Sequence, residues 1–140
     1  MENGSLMLKV KESRESLEML EQNICKRLMK CHKKRRVYVS AKYGGKQENK
    51  DIIEKQIKKL IEYDKEMGID DIIYISPVHC FGYLYDVVPY EEGLDMCLEL
   101  LKTCDEIIFL DSWQTSRGAN IEYGFAKGMK MPMYYKTSRK

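Results

Sequence analysis

The stretch Ser112-Trp113-Gln114-Thr115-Ser116-Arg117-Gly118-Ala119-Asn120-Ile121-Glu122-Tyr123-Gly124-Phe125-Ala126 joins a polar loop to a carboxylate set just inside a helix. Before it, Glu106–Leu110 reads as a short buried strand, and Gly118-Ala119 opens an amphipathic helix whose first N–H groups face the loop. Such a helix start suits a phosphate or a sugar. Glu122 lies one turn in from Gly118, so its side chain leans back towards the same mouth, where a carboxylate can work on a bound ligand. The alternative is a surface Glu favoured at a helix start by the dipole.

Two further loops carry chemistry. Tyr43-Gly44-Gly45-Lys46 offers two glycines that allow close backbone approach and a Lys to meet an anion, with a ligand-free tight turn as the alternative. It has neither a Walker pattern nor a GxGxxG fingerprint, which makes ATPase and dinucleotide readings weak. Ser76-Pro77-Val78-His79-Cys80-Phe81-Gly82-Tyr83 ends a strand with a His and two aromatics. His79, Phe81 and Trp113 are therefore candidates to stack on a base, although a lone His is more often a structural hydrogen-bonder and Trp113 could simply pack beside the mouth. No paired metal-ligand spacing and no cofactor fingerprint are present, so neither a metal nor a cofactor is expected.

The elements that must position these loops alternate along the chain. Val37–Ser40, Ile72–Ser76, Ile107–Leu110 and Met133–Tyr135 read as strands. Between them come a helix running to Met67 with Ile52, Ile53, Gln56, Ile57, Leu60 and Ile61 on one face, and a long loop from Val78 to about Pro89. A helix from about Tyr90 to Thr103 turns Leu94, Cys97, Leu98 and Leu101 inward, and the last helix spans Ala119–Gly128. This alternation implies parallel pairing through right-handed crossovers. The expected fold is a small doubly wound, flavodoxin- or Rossmann-like α/β domain: a parallel sheet of four to five strands with helices on both faces. Ligands in such sheets bind beyond the carboxyl ends of the strands, where strand order reverses. The three loops lie at those ends.

Residues 1–36 form a basic helical extension ahead of an α/β domain at 37–140: they hold ten Lys/Arg against five Asp/Glu, and the remainder holds fourteen against seventeen. In the extension Leu17, Leu20, Ile24, Leu28 and Cys31 recur at spacings of three and four on a helix from about Ser13 to Lys30. That stripe packs either on its own domain or on a second subunit. The run His32-Lys33-Lys34-Arg35-Arg36 has no interleaved aromatics and reads as a solvated hinge, which makes nucleic acid an unlikely partner. Five cysteines, Cys25, Cys31, Cys80, Cys97 and Cys104, fit reduced thiols serving as small core residues. With no apolar run of membrane-spanning length and no secretory h-region, a cytoplasmic protein without a membrane partner is expected.

Together these pieces resemble the nucleoside 2-deoxyribosyltransferase-like superfamily, and most closely its small phage- and bacterium-encoded members of unassigned function. The resemblance rests on Val37–Gly45, Ser76-Pro77, Leu100–Leu110 and Trp113–Ala126, with Ser116-x-Gly118-Ala119-x-x-Glu122-x-x-x-Ala126 its most specific piece. It implies chemistry at an N-glycosidic bond. Glu122 is similar to the nucleophile that attacks the anomeric carbon, with hydrolysis or transfer to a second base completing the reaction. Ser116, six residues earlier, is similar to the Ser of the branch that hydrolyses deoxynucleoside 5′-monophosphates. The implied phosphate-binding set is Gly44, Gly45, Lys46, Ser116, Arg117, Gly118 and Ala119, with Tyr43 orienting Glu122 or the sugar.

The resemblance also brings departures. The family's acid/base Asp stands eight residues ahead of the residue matching Asp105, and Cys97 stands there in this chain. Either Asp111, Glu91 or Glu92 supplies the proton, or the chain binds a nucleotide without cleaving it. The end Thr137-Ser138-Arg139-Lys140 lacks the terminal Tyr of the transferases, which weighs against base transfer. A homo-oligomer is the expected assembly.

Overall fold

A computed structural model describes residues 2–30 and 34–136, and it divides into two units, residues 1–33 and 34–140. The first unit is one helix, α1 (Glu2–Lys30). It begins well before Ser13, because Leu6 and Val10 extend the apolar stripe backwards and no Pro interrupts the run. The expected stripe member Cys31, with His32 and Lys33, lies outside the described residues, as do residues 137–140.

The second unit alternates strands and helices. It comprises β1 (Arg35–Ser40), α2 (Gln47–Glu66), β2 (Ile72–Ile75), α3 (Pro77–Phe81), α4 (Tyr90–Lys102), β3 (Glu106–Phe109), α5 (Arg117–Gly128) and β4 (Met133–Tyr135). The four strands form one parallel sheet in the order β2-β1-β3-β4. Strand order reverses between β1 and β3, so the doubly wound α/β fold has its crevice between the loops that follow those two strands.

The strands split their side chains between two helical layers. Val37 and Val39 pack with Ile53, Val78, Ile108 and Leu110 on one face, against α2. Tyr38 packs with Leu101, Ile107, Phe109 and Ala126 on the other, against α4 and α5. Alternation along β1 therefore places Ser40 beside Tyr38, at the carboxyl end of the α4–α5 face.

Several expectations need correction. β1 starts at Arg35 instead of Val37: the Arg35 guanidinium holds Asp71 at 2.9 Å and Glu106 at 3.2 Å, and the Arg36 N–H donates to Asp105 Oδ2 at 2.8 Å. These partners draw the end of the basic run into the sheet and out of a solvated hinge. The expected loop from Val78 to Pro89 begins with α3 and a 3-10 turn, Gly82–Leu84. Ser76 caps α3 by accepting from the His79 N–H, and Pro77 sits in its first turn with φ already set. On α2 only part of the expected face is covered: Ile53 is buried, while Ile52 and Ile61 are exposed. The cysteines are not all core residues either. Cys104 is buried and Cys97 half-buried, whereas Cys25 and Cys80 are exposed. No helix among the described residues is long and apolar enough to cross a membrane.

Candidate functional site

A cavity of about 450 Å³ opens beyond the carboxyl ends of β1, β2 and β3, within the size range of small-molecule pockets. Four segments wall it. The loop after β1 contributes Ala41 to Gly44, α3 and the turn after it contribute Pro77, Phe81 and Tyr85, α4 contributes Tyr90, Leu94 and Cys97, and the start of α5 contributes Thr115 to Ala119 and Glu122.

The start of α5 is built by its own sequence. Ser116 is extended, and its hydroxyl accepts from the Ala119 N–H at 3.3 Å while its carbonyl accepts from the Asn120 N–H. Of the first-turn donors this leaves the N–H groups of Arg117 and Gly118 without an intrahelical acceptor, at the positive end of the helix dipole. The Arg117 guanidinium lies over the Tyr90 ring, 5.5 Å from its centroid. Gly118 allows that approach, since a Cβ there would stand 3.3 Å from the Tyr90 hydroxyl.

One turn further in, Glu122 is only 6% exposed. Ala119, Glu122 and Ala126 form the buried stripe of α5, so the register that packs the two alanines on the sheet also carries the carboxylate inward. It faces the β1 hydroxyls of Tyr38 and Ser40. Oε2 of Glu122, the Tyr38 hydroxyl and the Ser40 hydroxyl are all buried and, among the described residues, none completes a hydrogen bond. Burial pushes the Glu122 carboxyl up to about 7, against the nearby hydroxyls of Ser40 and Tyr38, which favour its charged form. Tyr38 is raised in turn, first by burial and then by the charge of Glu122. Cys97 is pushed up to about 11 by burial and the same charge, so it stands as a neutral thiol.

The loop after β1 is locked to the segment opposite it. The Tyr43 hydroxyl donates to the Gly82 carbonyl at 3.4 Å, and the Tyr43 and Tyr85 rings meet edge to face at 5.3 Å. Gly45 has φ +72, and a Cβ there would stand 2.6 Å from the Tyr85 ring. The tight Gly-Gly turn thus seats an aromatic wall.

Of the residues singled out from the sequence, Tyr43, Gly44, Phe81, Ser116, Arg117, Gly118, Ala119 and Glu122 line this cavity. Gly45 stands directly behind it. Lys46, His79, Asp111 and Trp113 do not line it. Lys46 is exposed at the start of α2. His79 is exposed on α3, its Nδ1 2.8 Å from the Ser76 hydroxyl, which serves the local turn. Trp113 packs on Phe109 and Tyr123 at centroid distances of 4.6 and 5.3 Å, half-buried against the core. Glu122 is the only carboxylate among the described residues lining the cavity; Glu91, Glu92 and Asp111 lie outside the lining.

The sequence reading missed Tyr38, Ser40, Tyr85 and Tyr90. Alternation along β1 could have found the first two, because Tyr38 and Ser40 share a face otherwise built from apolar residues. Tyr85 and Tyr90 carried no local signal; they reach the cavity only through the path of the chain between β2 and α4.

A family model described as Domain of unknown function (DUF4406) matches residues 35–135. No curated protein matches the chain.

Proposed function

The chain belongs to the DUF4406 family, and on that premise we propose that its α/β unit is a nucleotide N-glycosidase of the nucleoside 2-deoxyribosyltransferase-like kind. Its substrate is a (deoxy)nucleoside 5′-monophosphate. The observation that carries this reading is Glu122: a buried carboxylate with an unpartnered oxygen, the one carboxylate among the described residues in a largely apolar and aromatic lining that also holds Lys42, Ser116 and Arg117. A carboxylate so placed is disfavoured in the free protein unless its charge has a task.

In the reaction the ionised Glu122 attacks the anomeric carbon, and the bond to the base nitrogen breaks as the glycosyl ester forms. The base leaves with the bonding electron pair and takes up a proton from solvent water. A water molecule then attacks the anomeric carbon, its proton passes to solvent, and the ester bond breaks to return Glu122 as carboxylate. Tyr38 and Ser40 orient the nucleophile from beneath. Arg117, with the N–H groups of Arg117 and Gly118, meets the 5′-phosphate. Phe81, Tyr85 and Tyr90 offer faces for the base. The same reading expects a homo-oligomer in the cytoplasm.

A second reading has its own support. Retaining glycosidases hold two carboxyl groups roughly 5 Å apart, whereas this lining has one, and a neutral Cys97 thiol beside it is a poor acid. This favours a nucleotide-binding or sensing module that does not cleave.

The test is free-base release from a panel of ribo- and deoxyribonucleoside 5′-monophosphates, with Glu122→Ala alongside. Release that vanishes in the variant is the expected result, with kcat/KM rising with pH through about 7 as Glu122 ionises. Release that persists in Glu122→Ala overturns the nucleophile. Thermal stabilisation by one nucleotide with no release overturns catalysis and leaves the binding module.

A further inference from the structure

We infer that α1 is a self-association helix whose partner is the α1 of a second copy of this chain, paired along a two-stranded coiled-coil seam. Leu6, Val10, Leu17, Leu20, Ile24 and Leu28 fall within about 80° of arc on a helix of 3.6 residues per turn. All six are exposed on α1, Leu6 at 64%, Leu17 at 58% and Leu20 at 55%. From Leu6 to Ile24 the seam positions, with Ser13 among them, alternate steps of four and three, which is the heptad period.

The regularity of the spacing selects the kind of partner. Met7, Leu8, Met19 and Met29 are also exposed on α1 but lie off this seam, and only the seam positions keep the heptad period by which two helices interlock. Val10 and Ile24 alternate with Leu6 and Leu20, a branched-then-Leu pattern that favours two strands.

Charge selects a second copy over a membrane. A membrane-surface helix carries a polar face rich in Lys and Arg. Here Glu12, Glu15 and Glu18 stand on the face away from the seam, and α1 as a whole has six Lys/Arg against five Asp/Glu. So near a balance leaves little repulsion between two copies and little attraction to anionic lipid. Six seam side chains from each copy, at about 100 Å² apiece, bury about 1,200 Å², the lower end of a standard specific interface.

The test is the solution mass of the full chain by light scattering at micromolar concentration, beside Leu20→Glu/Ile24→Glu and a polar-face control, Glu15→Gln. The expected result is twice 16.5 kDa for the parent chain and the control, and 16.5 kDa for the double variant. Unchanged thermal unfolding of the α/β unit in the double variant shows that only the pairing has been removed. A parent chain at 16.5 kDa overturns the inference, as does a double variant that keeps the doubled mass. Monomeric parent protein that sediments with anionic lipid vesicles overturns it in favour of a membrane partner.

Discussion

Glu122 is a carboxylate whose surroundings resist its charge, and that resistance has a sign in stability. Its unfolded value is 4.5 and its folded value about 7. Between those limits the unfolded chain has released a proton that the native chain still holds, so stability falls as pH rises across the window. Above about pH 7 the full difference, on the order of 3 kcal/mol, counts against the native state. Glu122→Gln keeps the shape and removes the charge. We predict that its melting temperature exceeds the parent's at about pH 8, with the gap closing towards about pH 4, as calorimetry at both values would show. A gap independent of pH would mean that the carboxylate is not held against its charge. Glu122 was legible because its spacing from Ser116 and Gly118 is local. Its surroundings were less so: Tyr38 and Ser40 come from β1, distant in sequence, and what reads locally as a buried strand supplies two orphan hydroxyls beside Glu122. Trp113 takes the packing alternative: it stays in the loop after β3, half-buried against Phe109, Tyr123 and Tyr135.

At the scale of elements, the start of α5 has two demands on one residue. The Ser116 hydroxyl already accepts from the Ala119 N–H, so its loss removes a helix cap, worth about 1 kcal/mol. In the proposed reading the same start also receives the phosphate. Ser116→Ala is therefore expected to lower stability by about that amount and to weaken monophosphates more than the matching nucleosides, measured by calorimetric titration. Equal weakening of both would leave Ser116 a cap alone. The strands and major helices were legible from periodicity, because each buries one face and the sheet has only parallel crossovers to use. α3 was not, since five residues are too few to show a helical period. Its signal lay in chemistry instead: Ser76 followed by Pro77 is a cap followed by a first-turn proline.

At the scale of the whole molecule, the two proposals fall on two different units. The α/β unit places its cavity where strand order reverses, and every wall of that cavity comes from residues 34–136. α1 carries exposed apolar residues, six of them on one seam. The account therefore expects loss of pairing and loss of ligand chemistry to be independent: seam variants change mass, whereas Glu122 variants change turnover. The seam's spacing was legible from sequence because its period is local, whereas the full length of α1 was not, since its first turns carry a looser apolar pattern.

A covalent bond between Glu122 and the sugar is tested by mass spectrometry of acid-quenched protein after brief exposure to the nucleotide whose base it releases. The expected result is a sugar-phosphate adduct on the peptide that contains Glu122, absent from Glu122→Ala. Base release with that peptide unmodified, or an adduct on another residue, would contradict it.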